Sequence, residues 1–159
     1  MENEAVLIAI KWIHLMATVA WIGGMLTNFF IYLPVLGKVL EPPTLGKLMG
    51  AVMKRFRVMV YISIGLLLIT GILSGFVLGD SNDFSSGDSW IVILFAKIAV
   101  FTVMVILALY AFEILAPKVA KIAADGPSPR LVRIQKTQMS LALTGFIMGI
   151  IILALSAAL

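Results

Sequence analysis

The chain has no cysteine and a single histidine, His14, among its 159 residues. The missing cysteine removes disulfides, thiolate metal sites and cysteine nucleophiles together. Charge is scarce as well. Asp, Glu, Lys and Arg make up 13% of the residues, against about 25% in soluble globular domains. No paired carboxylates fall inside the long apolar runs, which argues against a proton-pump relay or a hydrolase. There is no phosphate-binding loop and no Ser/His/Asp constellation. What fills the chain is apolar: 62% of residues are hydrophobic and the mean hydropathy is +1.12. That excludes a soluble enzyme, a disordered protein and a nucleic-acid module. The net charge of +4 and pI near 9.6 therefore report membrane orientation rather than a nucleic-acid partner.

Four segments are apolar enough to cross a bilayer, which takes about 20 residues. They run from about Val6 to Leu36, Val58 to Leu78, Trp90 to Ala116 and Thr137 to Leu159. The first is too long for a cleaved signal peptide and has no basic leader. With no convincing internal repeat or second domain, residues 1–159 are expected to form one all-α, integral membrane four-helix bundle in up-down order.

The loops differ sharply in charge. Lys38, Lys47, Lys54, Arg55 and Arg57 lie between the first two spans, and Lys118, Lys121, Arg130, Arg133 and Lys136 between the last two. Glu2, Glu4, Asp80, Asp83 and Asp88 lie at the other ends. The excess of basic residues places both basic loops in the cytoplasm and both termini outside, in a multi-pass protein of the plasma membrane. Glu41-Pro42-Pro43-Thr44 is expected to stop the first helix, with Thr44 capping the next. Asp125-Gly126-Pro127-Ser128-Pro129 breaks the chain again, and residues 81–89 form a short outer loop.

Span one carries a polar stripe. Lys11, His14, Thr18, Trp21, Met25, Asn28 and Tyr32 recur at steps of three and four, the spacing of a seam packed inside a bundle. Pointing His14 and Asn28 at lipid would cost several kcal/mol, so the stripe must face protein or a cavity. His14 is a functional-site candidate by its place in the membrane. Equally, it reads as a neutral interhelical hydrogen-bond donor worth about 0.6–2 kcal/mol.

Lys97 lies deep in span three. At ~1.5 Å per residue, His14 and Lys97 each sit roughly 10–12 Å inside the outer edge of their spans. A charged Lys97 is costly there unless it snorkels outward or meets an anion. Uncharged, its amine can coordinate a metal. Gly71 and Gly149 fall near the same depth. Each belongs to a small-xxx-small pair suited to helix packing, and together they leave a slot for a flat cofactor. Lys11, one turn outward of His14, either pairs with an anionic group near the interface or snorkels.

The run His14-Leu15-Met16-Ala17-Thr18-Val19-Ala20-Trp21-Ile22-Gly23-Gly24 resembles the first-helix motif of CopD-like membrane proteins, a His followed by Trp and a glycine pair. Arg55-Phe56, Thr70-Gly71 and Lys97 extend the resemblance. Relatives of that superfamily include HemJ-type heme proteins with a helix-one His and a helix-three Lys. The resemblance implies heme b, with His14 and Lys97 as axial metal ligands and Lys11, Trp21, Gly71 and Gly149 around the cofactor. The chain departs from the HemJ pattern at Leu33-Pro34-Val35, where a Leu-Pro-Arg run is missing.

Three functions follow as expectations. One is a heme b membrane oxidoreductase or electron carrier with a redox partner or a quinone- or porphyrin-like substrate near the outer leaflet. A second is copper handling of the CopD type, with Met16, Met25, Met104 or Met148 assisting His14. The third is a non-catalytic membrane subunit, in which these polar residues specify packing and the glycines serve contacts within or between copies.

Overall fold

The computed structural model describes residues 2–79, 87–124, 126 and 128–157. These are helical almost throughout, and no strand occurs among them. Helix α1 covers Glu2–Thr27 and continues through a π-helical turn, Asn28–Tyr32, into α2 at Leu33–Val39. Helix α3 spans Pro42–Gly79. Helix α4 covers Gly87–Leu109 and passes through a second π-helical turn, Tyr110–Leu115, into α5 at Ala116–Ala124. Helix α6 covers Pro129–Ala157.

Four stretches are long and apolar enough to cross a membrane: Glu4–Val39, Pro43–Ser74, Ile91–Ala124 and Pro129–Ala157. They hold 29 to 36 residues. At ~1.5 Å per residue that is roughly 44–54 Å, well beyond a hydrocarbon core of about 30 Å. The surplus carries the basic residues. Lys47, Lys54, Arg55 and Arg57 ride on α3, Lys118 and Lys121 on α5, and Arg130, Arg133 and Lys136 on α6. Most of what composition marks as basic loop is therefore helix. Nothing between Thr44 and Arg57 stops a helix, and Arg57 stacks over the Tyr61 ring at 5.6 Å, one turn along.

The breaks themselves are short. Leu40 turns extended, with φ −107° and ψ 142°, and α3 begins at once with Pro42 and Pro43. Proline is at home there because the first helical N–H groups have no partner to lose. Thr44 thus sits inside the first turn instead of capping it. At the second break Gly126 takes φ +98°, a conformation open to glycine without strain. Ser128 Oγ then accepts the Leu131 N–H at 3.2 Å and caps α6. Of the expected outer loop, residues 81–86 lie outside the described residues, while 87–89 already belong to α4.

The chain divides into two compact units, Met1–Ser86 and Gly87–Leu159. In the first, α1 packs along α3. Ile10, Ala17, Trp21 and Met25 are buried on α1, and Val60, Ser63, Leu67 and Thr70 on α3. The alternating steps of three and four along α3 are those of a packed helix seam. Gly24 lets the two helices close: a Cβ there would lie 2.6 Å from Phe56 Cε2 and 2.7 Å from Met59 Cε. In the second unit α4 packs on α6, with Met104, Leu115 and Gly149 buried. Outside the seams, rows such as Ile8, Trp12, Leu15 and Val19 are exposed, a surface suited to lipid.

Both π-helical turns have the same physical cause. Proline lacks an N–H and its ring collides with the carbonyl four residues back. Before Pro34 the chain widens, and Leu33 N–H bonds the Asn28 carbonyl, five residues back. Before Pro117, Ala116 N–H bonds the Ala111 carbonyl in the same manner.

Candidate functional site

Helix α1 delivers His14 to the α3 side, half-buried. There His14 Nδ1 lies 2.7 Å from Thr70 Oγ1. The hydroxyl of Thr70 also lies 2.6 Å from the Leu66 carbonyl oxygen, one turn back along α3. A hydroxyl has one proton to give. Donated to the Leu66 carbonyl, it leaves the Thr70 oxygen as an acceptor, so His14 Nδ1 carries the hydrogen of the interhelical bond. The lone pair of the neutral imidazole is then on Nε2, the nitrogen that a metal would take. Metal-binding histidines ordinarily have one ring nitrogen tied back to the protein in this way.

The helix around His14 is otherwise satisfied locally. Thr18 Oγ1 donates to the His14 carbonyl at 2.9 Å, and Thr27 Oγ1 to the Gly23 carbonyl at 2.9 Å. Asn28 Oδ1, at the start of the first π-helical turn, is buried without a hydrogen-bond partner among the described residues.

The polar stripe is partly confirmed in position and partly corrected. Trp21, 4% exposed, and Met25 lie in the seam with His14. Lys11 and Tyr32 are exposed and fall off it. Ile10 and Ala17 take the buried places, because a straight helix of 3.6 residues per turn drifts away from a stripe drawn at 3.5. Gly71 is exposed and a Cβ there would meet nothing within 4 Å, so within its unit it is no close contact between α1 and α3. Gly149 is buried in the second unit. Lys97 is half-buried on α4, also in the second unit.

The residue that sequence reasoning passed over is Thr70. It stands at the depth of His14 in the next span, and its hydroxyl was the signal, although it entered the sequence reading only beside Gly71 in the CopD resemblance. The thioether candidates fare less well. Met16 is exposed, two residues past His14 and on another face of the helix. Met25 is eleven residues on, about 16 Å along the axis at 1.5 Å per residue. Met53 and Met59 line a groove with Gly24 and Asn28, and Met59 lines a second one with Met16, Ala17 and Ala20. Among the described residues no three His, Cys, Asp or Glu side chains come together to hold a metal. Among the described residues of the first unit the one imidazole is His14, held by Thr70.

A family model described as Copper resistance protein D matches residues 50–159. It takes in Thr70, Gly71, Lys97 and Gly149, and His14 precedes it. No curated protein and no solved structure matches the chain.

Proposed function

The chain belongs to the copper resistance protein D family, and from that premise we propose that this multi-pass membrane protein binds copper as cargo, with His14 Nε2 as its donor. The bond from His14 Nδ1 to Thr70 Oγ1 at 2.7 Å carries the reading. Copper accepts imidazole nitrogen readily in either oxidation state. The Thr70 tie selects the tautomer and holds the ring, so no reorientation is needed when the ion arrives.

A single nitrogen donor in an apolar seam suits passage. An ion moving through a membrane must bind well enough to enter and weakly enough to leave. Lys97, in the second unit, is proposed as a separate donor of that unit when uncharged. Lys11, exposed one turn from His14, offers its charge to anionic groups at the membrane surface. Trp21 packs below His14 and keeps α1 seated. The positive-inside pattern puts the basic helix ends in the cytoplasm and the His14 level toward the outer leaflet of the plasma membrane.

The test uses purified full-length protein. Cuprous ion is competed against a chelator for the wild type, His14→Ala and Lys97→Ala, and absorbance spectra are recorded alongside. The expected result is copper bound by the wild type and lost in His14→Ala, without a Soret band. Copper binding unchanged in His14→Ala overturns the assignment. A Soret band that disappears in His14→Ala replaces copper with heme b, the rival that rests on the HemJ resemblance, and makes His14 an iron ligand.

A further inference from the structure

The two π-helical turns are placed alike in their units, and the sequence around them is alike too. Phe29-Phe30-Ile31-Tyr32-Leu33-Pro34-Val35-Leu36-Gly37-Lys38 and Phe112-Glu113-Ile114-Leu115-Ala116-Pro117-Lys118-Val119-Ala120-Lys121 share a Phe, an Ile, a Pro and a Lys at the same spacing. The interval from Phe29 to Phe112 also separates Leu33 from Ala116 and Asn28 from Ala111. Those are the donor and acceptor of the wide hydrogen bond in each turn.

The match extends back along both spans. The same interval carries Trp12 onto Phe95, both strongly exposed, and Trp21 onto Met104, both 4% exposed. It carries half-buried His14 onto half-buried Lys97. Each first helix is followed by a proline-containing break and a second long helix, α3 or α6, within its own unit. The expectation of no internal repeat came from reading apolar runs. In those, Ile, Leu, Val and Phe exchange freely and hide common register.

We infer that the chain is two copies of one two-span module, and that each copy carries a proline-keyed wide turn that sets which face of its basic end is presented. A π-helical turn holds one more residue than an α turn. Everything beyond it is therefore rotated by about 100° relative to a straight α-helix. In the first module this turns the face of α2 that bears Lys38. In the second it turns the corresponding face of α5 that bears Lys121. With alanine in place of proline, the N–H returns and the ring no longer collides, so the cause of the wide turn is gone.

The absence of native cysteine makes the rotation measurable. Full-length protein carrying one nitroxide-labelled cysteine at a time, along residues 35–40 or 118–123, is reconstituted in phosphatidylcholine–phosphatidylglycerol vesicles. Accessibility to oxygen and to a nickel chelate then gives the angular phase of each segment. Pro34→Ala is expected to shift the phase of 35–40 by about 100°, and Pro117→Ala that of 118–123 by about 100° in the same sense. A companion pair combines Pro34→Ala with deletion of Ile31, and Pro117→Ala with deletion of Ile114. These remove the extra residue with its cause and are expected to keep the wild-type phase. A phase that stays put in either proline variant overturns the inference. So does a companion deletion that rotates its segment as a deletion in a regular α turn would. Should the proline variants fail to insert, the deletion pair decides alone. A protein with no affinity for copper would show the same rotations.

Discussion

Thr70→Val removes one hydroxyl from the seam between α1 and α3 and keeps nearly the same side-chain volume. Three contacts go with it: the 2.7 Å bond with His14 Nδ1, the 2.6 Å bond to the Leu66 carbonyl and a longer one of 3.4 Å to the Leu67 carbonyl. The second is a back-bond within one helix, and the Leu66 carbonyl keeps its place in the backbone ladder. The first leaves the His14 N–H unmatched at a half-buried site. An unsatisfied buried donor costs about 1–3 kcal/mol. Interhelical hydrogen bonds inside membranes average nearer 0.6 kcal/mol, with a maximum of about 1.7. A loss of about 1 kcal/mol is expected, since Thr70 is buried and His14 only partly so. The effect on copper should be larger, because loss of a histidine's orienting partner typically lowers metal affinity by about 10–100-fold. Thr70→Ser keeps the hydroxyl and should restore most of it. The assay is a double-mutant cycle of Thr70→Val and His14→Ala, read both by unfolding in detergent and by chelator competition for cuprous ion. The reasoning is refuted if Thr70→Val weakens copper as much in the His14→Ala background as in the wild type. It is also refuted if Thr70→Val changes neither stability nor affinity.

Neighbouring glycines should behave in opposite ways. Gly24→Ala places a Cβ 2.6 Å from Phe56 Cε2 and 2.7 Å from Met59 Cε. The methionine end can move but the ring must shift, so a cost of about 1–3 kcal/mol is expected in an unfolding titration. Gly23→Ala meets nothing within 4 Å and should be neutral, or stabilising by up to about 1 kcal/mol through helix propensity; equal effects at both positions would contradict the packing of α1 on α3. Gly126→Ala forces a side chain onto φ +98° and should lower stability by about 1–2 kcal/mol, measured by thermal unfolding, with Gly126→Asn less affected than Gly126→Ala.

Much of the fold is legible from composition alone. Long apolar runs with little charge leave no alternative to helices in a bilayer, since every backbone N–H and carbonyl must be paired within the segment. The ends of those helices are less legible. Lys, Arg, Gln and Thr extend an α-helix as readily as they form a loop, so the basic stretches before Val58 and Thr137 read as loop by hydropathy and fold as helix. The proline before Val35 was visible, but its consequence was not. A proline announces a missing N–H, and only the backbone around it shows whether the helix breaks, kinks or widens.

His14 stood out from the sequence because an imidazole at that depth is costly unless it is engaged. That argument depends on residue type and position in the span, both of which the sequence holds. Its partner did not stand out. A threonine in a membrane helix can satisfy itself by bonding back along its own helix, as Thr18, Thr27, Thr102, Thr137 and Thr144 do here. Thr70 does so too, and in addition faces His14. Sequence by itself therefore determined the membrane class, the number of spans and the one intramembrane imidazole that has to be engaged. Those follow from the energetics of single side chains and backbone groups in hydrocarbon. Tertiary structure decided which hydroxyl orients His14, which stripe residues enter the seam and where the helix widens before proline. Each of those depends on the rotation of one helix against another, and a shift of one residue turns a side chain by about 100°.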